Sequence, residues 1–370
     1  MSDVVLPRRM AFAIALAFAL AAFAALASGA MASFGGDVYT LTNKPAGNAV
    51  KAFDRAGDGS LAPAGEFATG GDGTGGGLGN QSAVVLDGRH LFAVNPGSDS
   101  ISAFEVKRDG LDLLDTDASG GDQPISLTVH RGLLYALNAG GNANISGFTV
   151  SKSGHLSPLA RSTRPLSTAA PGPAQVSFDP SGELLVVTEK DTNLIDTYEV
   201  GRSGRPGVIE SQASAGATPF GFAFDRRGHL IVSEAFGGAP DQSAVSSYDV
   251  VDGLIEPITA SAGTTETAAC WIVVTHDGRF AYTSNTGSGS ISGYRIGRDG
   301  ALSLLDADGV TGATGPGPID MALTRGGRFL YSLNSGDGTI SGFRVRFDGS
   351  LAPIGGASGL PDGANGLAAR

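Results

Sequence analysis

Apolar residues in this chain come in short runs set between turn residues, and the same order of runs returns about every fifty residues. The pattern is plainest in SAVVLDGRHLFAVNPGSDSISAFEVKRDGLDLL, CWIVVTHDGRFAYTSNTGSGSISGYRIGRDGALSLL and IDMALTRGGRFLYSLNSGDGTISGFRVRFDGSLAPI. In the last of these, the runs IDMALT, RFLYSLN, TISGFRV and SLAPI are split by RGG, SGDG and FDG. No run carries the 3.6-residue period of an amphipathic helix, so each repeat predicts four short strands. Asp-Gly and Gly-Gly pairs supply the positive φ angles that tight hairpins require.

Seven such repeats lie between residues 37 and 370. They predict an all-β fold: a seven-bladed β-propeller with four antiparallel strands per blade. The first repeat begins directly at DVYTLTN, with no inner strand before it, and the chain ends in GLPDGANGLAAR. That tail is expected to supply the missing inner strand of blade one, closing the ring and covering its strand edges.

An anchor position follows each second strand, at Asn43, Asn95, Asn138, Glu189, Glu234, Asn285 and Asn334. Asn at a strand-to-turn junction bonds backbone two residues on, so the anchors read as turn fasteners. Glu189 and Glu234 break that series in two consecutive blades.

At the N-terminus, Arg8 and Arg9 precede an Ala/Leu/Phe-rich run over residues 10–27, and Ala30-Met31-Ala32 has a small-x-small form. These features predict an export signal over residues 1–32, a mature propeller domain over 33–370, and a periplasmic or extracellular location. The alternative reading is an uncleaved anchor, since the apolar run approaches spanning length. No later segment is long and apolar enough to span a bilayer. The formal net charge of -11 opposes binding to nucleic acid or an anionic membrane. Arg161 and Arg164 read as solvated surface.

Cofactor signals are weak. The stretch GGDGTGGGLGN over residues 70–80 lacks the Gly-Lys-Ser/Thr ending of a phosphate loop and reads as a flexible connection between blades one and two. His90, His130, His155, His229 and His276 show no metal-ligand spacing. No cofactor or structural metal is expected, although an axial Ca²⁺ or Mg²⁺ held by oxygen ligands stays open. The single cysteine, Cys270, allows no internal disulfide and reads as a small buried hydrophobe.

In a propeller the inner strands converge on the axis. Counting back from each first turn puts Ser82, Ser126, Gln175, Gly221, Trp271, Asp320 and Asn365 there. Such a ring suits a sugar-like ligand, with the indole covering its apolar side. The other reading is that these side chains hydrate a solvent-filled funnel and satisfy nearby backbone. Asp320 is the candidate catalytic base. Glu234 is the second, at the head of the SEAFGGAPDQSA insertion, which is placed to fold over one mouth. Gln175, Trp271, Ser82, Ser126, Asn365 and Glu189 are the candidate substrate contacts.

The repeats, with Y-x-x-N at the end of the second strand and S-I-S-G-F/Y in the third, resemble the seven-bladed lactonase-type propeller family of 6-phosphogluconolactonase and carboxy-muconate cyclase. GATPFGFAFDRRGHLIVSEAFGG looks like its exported bacterial members. The resemblance implies hydrolysis, or formation, of a small sugar or carboxylic-acid lactone. The family's Arg-His pair after Gly-Pro is absent from Gly172-Pro173-Ala174-Gln175 and from Thr218-Pro219-Phe220-Gly221. Two functions are therefore carried forward. One is a lactone hydrolase using Asp320 or Glu234, and the other a non-enzymatic binding propeller for a glycan, peptide or protein. A closed ring needs no partner at its edges, so a monomer is expected.

Overall fold

The computed structural model describes residues 34–370; the expected export signal over 1–32 and the start at Ser33 lie outside them. Seven antiparallel sheets succeed one another along the chain, as the repeat predicts. The inner strands are Asn365–Ala369, Val84–Asp87, Asp122–His130, Pro173–Phe178, Pro219–Phe224, Ala269–Val274 and Pro318–Leu323, for blades one to seven. No helix among the described residues is long and apolar enough to cross a membrane.

Closure follows the tail reading. Asn365–Ala369 pairs antiparallel with Phe34–Leu41, matching Tyr39 with Ala368 and Leu41 with Asn365. The seam is pinned further out: Arg370 N donates to Asp37 O at 2.9 Å, and its guanidinium pairs with the Asp37 carboxylate.

Neighbouring blades are joined through the repeat's own residues. Second-strand tyrosines donate to turn carbonyls of the next blade: Tyr135 to Gly204 O at 2.6 Å, Tyr282 to Gly349 O at 2.7 Å and Tyr331 to Gly59 O at 2.6 Å. Each is buried, so losing its acceptor would strand a hydroxyl in apolar surroundings. The turns must come close for this. At Gly349, φ is 94° and a Cβ would lie 2.6 Å from the Phe280 ring, so only glycine fits. The D-G-x-L motif is thus an inter-blade contact as well as a hairpin turn.

The anchor series also fastens, but by another route than the expected backbone bond. Asn95 Nδ2 donates to Ser100 Oγ and Ser102 Oγ at 3.2 and 2.8 Å. Asn285 does the same with Ser290 and Ser292 at 3.0 and 2.8 Å, and Asn334 with Thr339 and Ser341 at 2.9 and 2.8 Å. The amide ties the end of the second strand to hydroxyls on the third. Sheet pairing puts the first hydroxyl directly opposite and the second on the same face two residues on.

Candidate functional site at the propeller axis

Strand direction gives the ring two unlike faces. One carries the blade-to-blade connections and the turns between second and third strands; the other carries the remaining hairpins. The polar ring predicted from sequence lies at the starts of the inner strands, near the first face.

Most of those side chains are committed to neighbouring blades. Ser126 Oγ accepts Val176 N at 3.2 Å. Gln175 makes a bidentate amide contact, accepting Phe222 N at 2.7 Å and donating to Phe222 O at 3.0 Å. Trp271 Nε1 donates to Asn80 O at 2.5 Å. Asp320 is 2 % exposed and accepts Met321 N at 2.8 Å and, from the closing strand, Leu367 N at 3.2 Å. Burial pushes its carboxyl up to about 7, against backbone amides of Met321, Leu367 and Ser82 that pull it down. Asn365 is buried, and its Oδ1 has no partner among the described residues.

The segment read as a flexible connection does something else. Residues 70–82 are held over the axis from several sides and enter it. Asn43 Nδ2 donates to Gly76 O at 2.7 Å, and Lys190 Nζ donates to Gly79 O at 2.6 Å and Pro173 O at 2.7 Å. Asn80 Nδ2 bonds Ile125 O, Gln81 N donates to Ala174 O at 3.1 Å, and Leu127 N donates to Ser82 O at 2.9 Å. Gln81 then reaches blade six, donating to Ile272 O at 2.8 Å and accepting Ile272 N at 3.0 Å. Blades two and six are not neighbours, so this contact spans the axis. The flexible reading is corrected: a glycine-rich composition here serves close backbone approach rather than freedom.

Gly221 explains where Gln81 lands. It occupies in blade five the place of Gln175 in blade four. With no side chain, it leaves Ile272 of blade six without the amide contact that Gln175 gives Phe222. A Cβ on Gly221 would sit 2.0 Å from Gln81 Oε1. Gln81 and Lys190 were not singled out from sequence. The polar gap at Gly221 was the available signal. Lys190 packs over the Phe220 ring at 5.0 Å, and burial lowers its ammonium to about 8.

The two anchor glutamates lie off the axis. Glu234 is fully buried and accepts Gly216 N at 2.8 Å and Ser261 Oγ at 2.7 Å, with Ser246 Oγ as a third donor. Burial raises its carboxyl against these donors. Glu189 accepts Ser167 N at 3.0 Å and Thr192 Oγ1 at 2.6 Å. Asp196 stands where other blades have the second serine, and burial, with the Glu189 carboxylate beside it, pushes its carboxyl up. Glu234 and Asp320 are not brought together. The insertion after Glu234 forms a short 3₁₀ turn, Phe236–Gly238, and leans on blade six through Asp241 N to Thr267 Oγ1 at 3.0 Å.

On the other face the axis is open. A funnel of ≈ 430 Å³ is walled by Phe222, Phe224, Ile272, Val274 and Leu323, with Gln81 and Gln175 at its floor. Each floor carboxamide spends one N–H and one lone pair on backbone, leaving the other of each. His130 and Asp179 are the titratable side chains on its lining, at the rim, and the Asp179 carboxylate accepts Ser181 N, Glu183 N and Leu184 N of its own turn. Cys270 is a buried thiol pushed up to about 12 by burial. No group of three or more His, Cys, Asp or Glu side chains able to hold a metal occurs among the described residues.

The described residues form a closed seven-bladed β-propeller with an axial funnel on one face. The family model "Lactonase, 7-bladed beta-propeller" matches residues 254–362, spanning the outer strand of blade five and all the strands of blades six and seven. Among solved structures, the chain is similar to the periplasmic gluconolactonase of Pseudomonas aeruginosa at 16% identity and TM-score 0.68, covering 89% of this chain and 98% of that one. It is similar to a candidate 6-phosphogluconolactonase from Bacteroides fragilis at 19% identity and TM-score 0.72, covering 90% and 98%. A Lactobacillus plantarum protein matches at 17% identity and TM-score 0.73, covering 90% and 99%. At such identities the likeness establishes the fold. No curated protein matches the chain in sequence.

Proposed function

We propose that this propeller takes a small, uncharged lactone or sugar-like ring into the open funnel. The carrying observation is the lining: apolar walls and neutral amides around ≈ 430 Å³ at the axis. A neutral ring with a carbonyl or hydroxyl suits this site, because the spare amide groups of Gln81 and Gln175 can pair with it while the walls cover its apolar face. The family match and the named relatives support a lactone as the ring. An exported setting fits a gluconolactonase relative that is periplasmic.

A second reading, lactone hydrolysis, is favoured by one observation. Asp320 lies buried near the start of the blade-seven inner strand, and its carboxyl stands at about 7, the range suited to a general base. In that reading Asp320 takes a proton from water, the hydroxide adds to the lactone carbonyl, the ring C–O bond breaks, and the departing alkoxide takes that proton back from Asp320 to give a hydroxy acid. A floor carboxamide N–H steadies the oxyanion. Water must reach Asp320 past the Ser82 segment for this to occur.

Titration calorimetry and proton release with a panel of neutral lactones test both readings on one purified protein. Saturable binding that Ala223→Phe abolishes by filling the funnel supports recognition there; binding unchanged in that variant places the ligand elsewhere. Proton release that falls at least tenfold in Asp320→Asn supports hydrolysis. Binding without proton release leaves a binding propeller.

A further inference from the structure

The open face carries a second groove, beside the funnel, between blades six and seven. It has a volume of ≈ 390 Å³ and is formed by the turns at 275–280, 326–328 and 345–347. Its lining includes Arg279, Arg328, Arg346 and His276 against one acid, Asp277, which Arg279 already engages at 2.6 Å. Arg328 and Arg346 are exposed and have no acidic partner within ion-pair distance among the described residues.

This reverses the balance of the whole chain, which has 36 acidic and 25 basic residues. The larger groove between blades three and five does not show it. There Arg131, Arg202 and Arg205 face four acids, Asp179, Glu183, Glu199 and Asp252, so acids outnumber arginines as they do in the whole chain.

Aromatic rings hold two of the three guanidinium groups in place. Arg279 lies over Phe280 at 5.0 Å and over Phe347 at 4.5 Å, and Arg328 lies over Phe329 at 5.2 Å. Stacking covers a planar face of the guanidinium and leaves its in-plane N–H donors for an anion. Phe347 itself is 85% exposed, an apolar ring left facing water at the groove edge.

We propose that this groove binds a single-ring carboxylated sugar. The carboxylate is taken by the Arg328 and Arg346 forks, and the apolar face of the ring lies against Phe347. The fork matches a carboxylate through two parallel N–H···O bonds. The exposed ring adds a contact that a bare inorganic anion lacks. The groove volume suits one ring, and the net charge of -11 repels a longer polyanion beyond it.

Calorimetric titration of the full chain with glucuronate, glucose and inorganic phosphate is the test. Glucuronate is expected to saturate one site at least tenfold more tightly than glucose, and to weaken as salt is raised. Arg328→Gln with Arg346→Gln should lower that affinity at least tenfold, and Phe347→Ala should lower it for glucuronate but not for phosphate. Arg202→Gln, in the larger and net-acidic groove, should leave it unchanged. The side chains are exposed, and melting curves confirm that each variant is folded. Glucuronate bound no better than glucose, full affinity in the double arginine variant, or equal loss in Arg202→Gln would each overturn the proposal. Tighter binding of a long polyuronate than of the single ring would overturn its stated size.

Discussion

The two ends of the axis differ in a way that separates construction from recognition. At the connection-bearing end, polar side chains are plentiful and almost all committed: Gln175 to Phe222, Trp271 to Asn80, Asp320 to the closing strand, Gln81 to Ile272. At the other end the walls are apolar, and the only polar floor is the far side of those same Gln81 and Gln175 amides, each with one N–H and one lone pair left over. A polar residue at the axis is therefore weak evidence of a site in this fold. Inner strands meet at an angle, and their edge backbone groups need partners that a side chain from the next blade supplies.

The sharpest way to break this contrast is to remove residues 364–370. Their loss takes away the inner strand of blade one, a backbone donor to Asp320 and the Arg370–Asp37 pair at once. The melting temperature should fall by more than ~10 °C, or cooperative unfolding should disappear. An unchanged melt by calorimetry would show that the ring holds without its closure.

The next effect is a pH dependence. Burial raises Asp320 to about 7 in the folded chain, against about 3.9 for an unfolded aspartate. The folded state holds this proton more tightly, so the Asp320 contribution is fully present below pH ~4, falls as pH rises to about 7, and is flat above. Its total is on the order of 4 kcal/mol. Urea midpoints from pH 4 to 8 should decline more steeply for the wild type than for Asp320→Asn. Equal slopes would show that this carboxyl does not titrate in the fold.

The smallest of the three concerns the Gln81–Ile272 contact, a strut across the axis. Gly221→Ala should cost about 2–3 kcal/mol, because the new methyl displaces the Gln81 amide and strands Ile272. Gln81→Leu should cost a similar amount, and the double variant should lose less than the sum by ~1 kcal/mol or more. Additive losses in denaturant titrations would mean that the two positions are independent.

The fold was legible because its signal is local and repeated. Turn glycines, paired strand lengths and the missing first inner strand are all visible within one repeat or at the chain ends. The anchor asparagines were legible as fasteners, though their partners were misjudged. Those hydroxyls come opposite only once the second and third strands pair. The axis was far less legible. Whether Gln175 faces ligand or Phe222 depends on the next blade's backbone, which no local pattern encodes. Residues 70–80 look like linker in composition, and only their several cross-blade bonds give them a place. Asp320 and Glu234 share a chemistry in sequence, yet one lies at the axis and the other among the outer strands of its own blade.

The amide contact between Gln81 and Ile272 also constrains the order of assembly. The two residues are 191 positions apart, so the strut closes only after four further repeats have been built onto blade two. Until then Asn80 and Gln81 have no opposite wall to grip, and a growing ring is free to spread. Locking this spoke ties blade two to blade six across the axis, before blade seven and the closing strand complete the ring. The Ile272 amide should accordingly be among the slowest in the molecule to exchange its hydrogen.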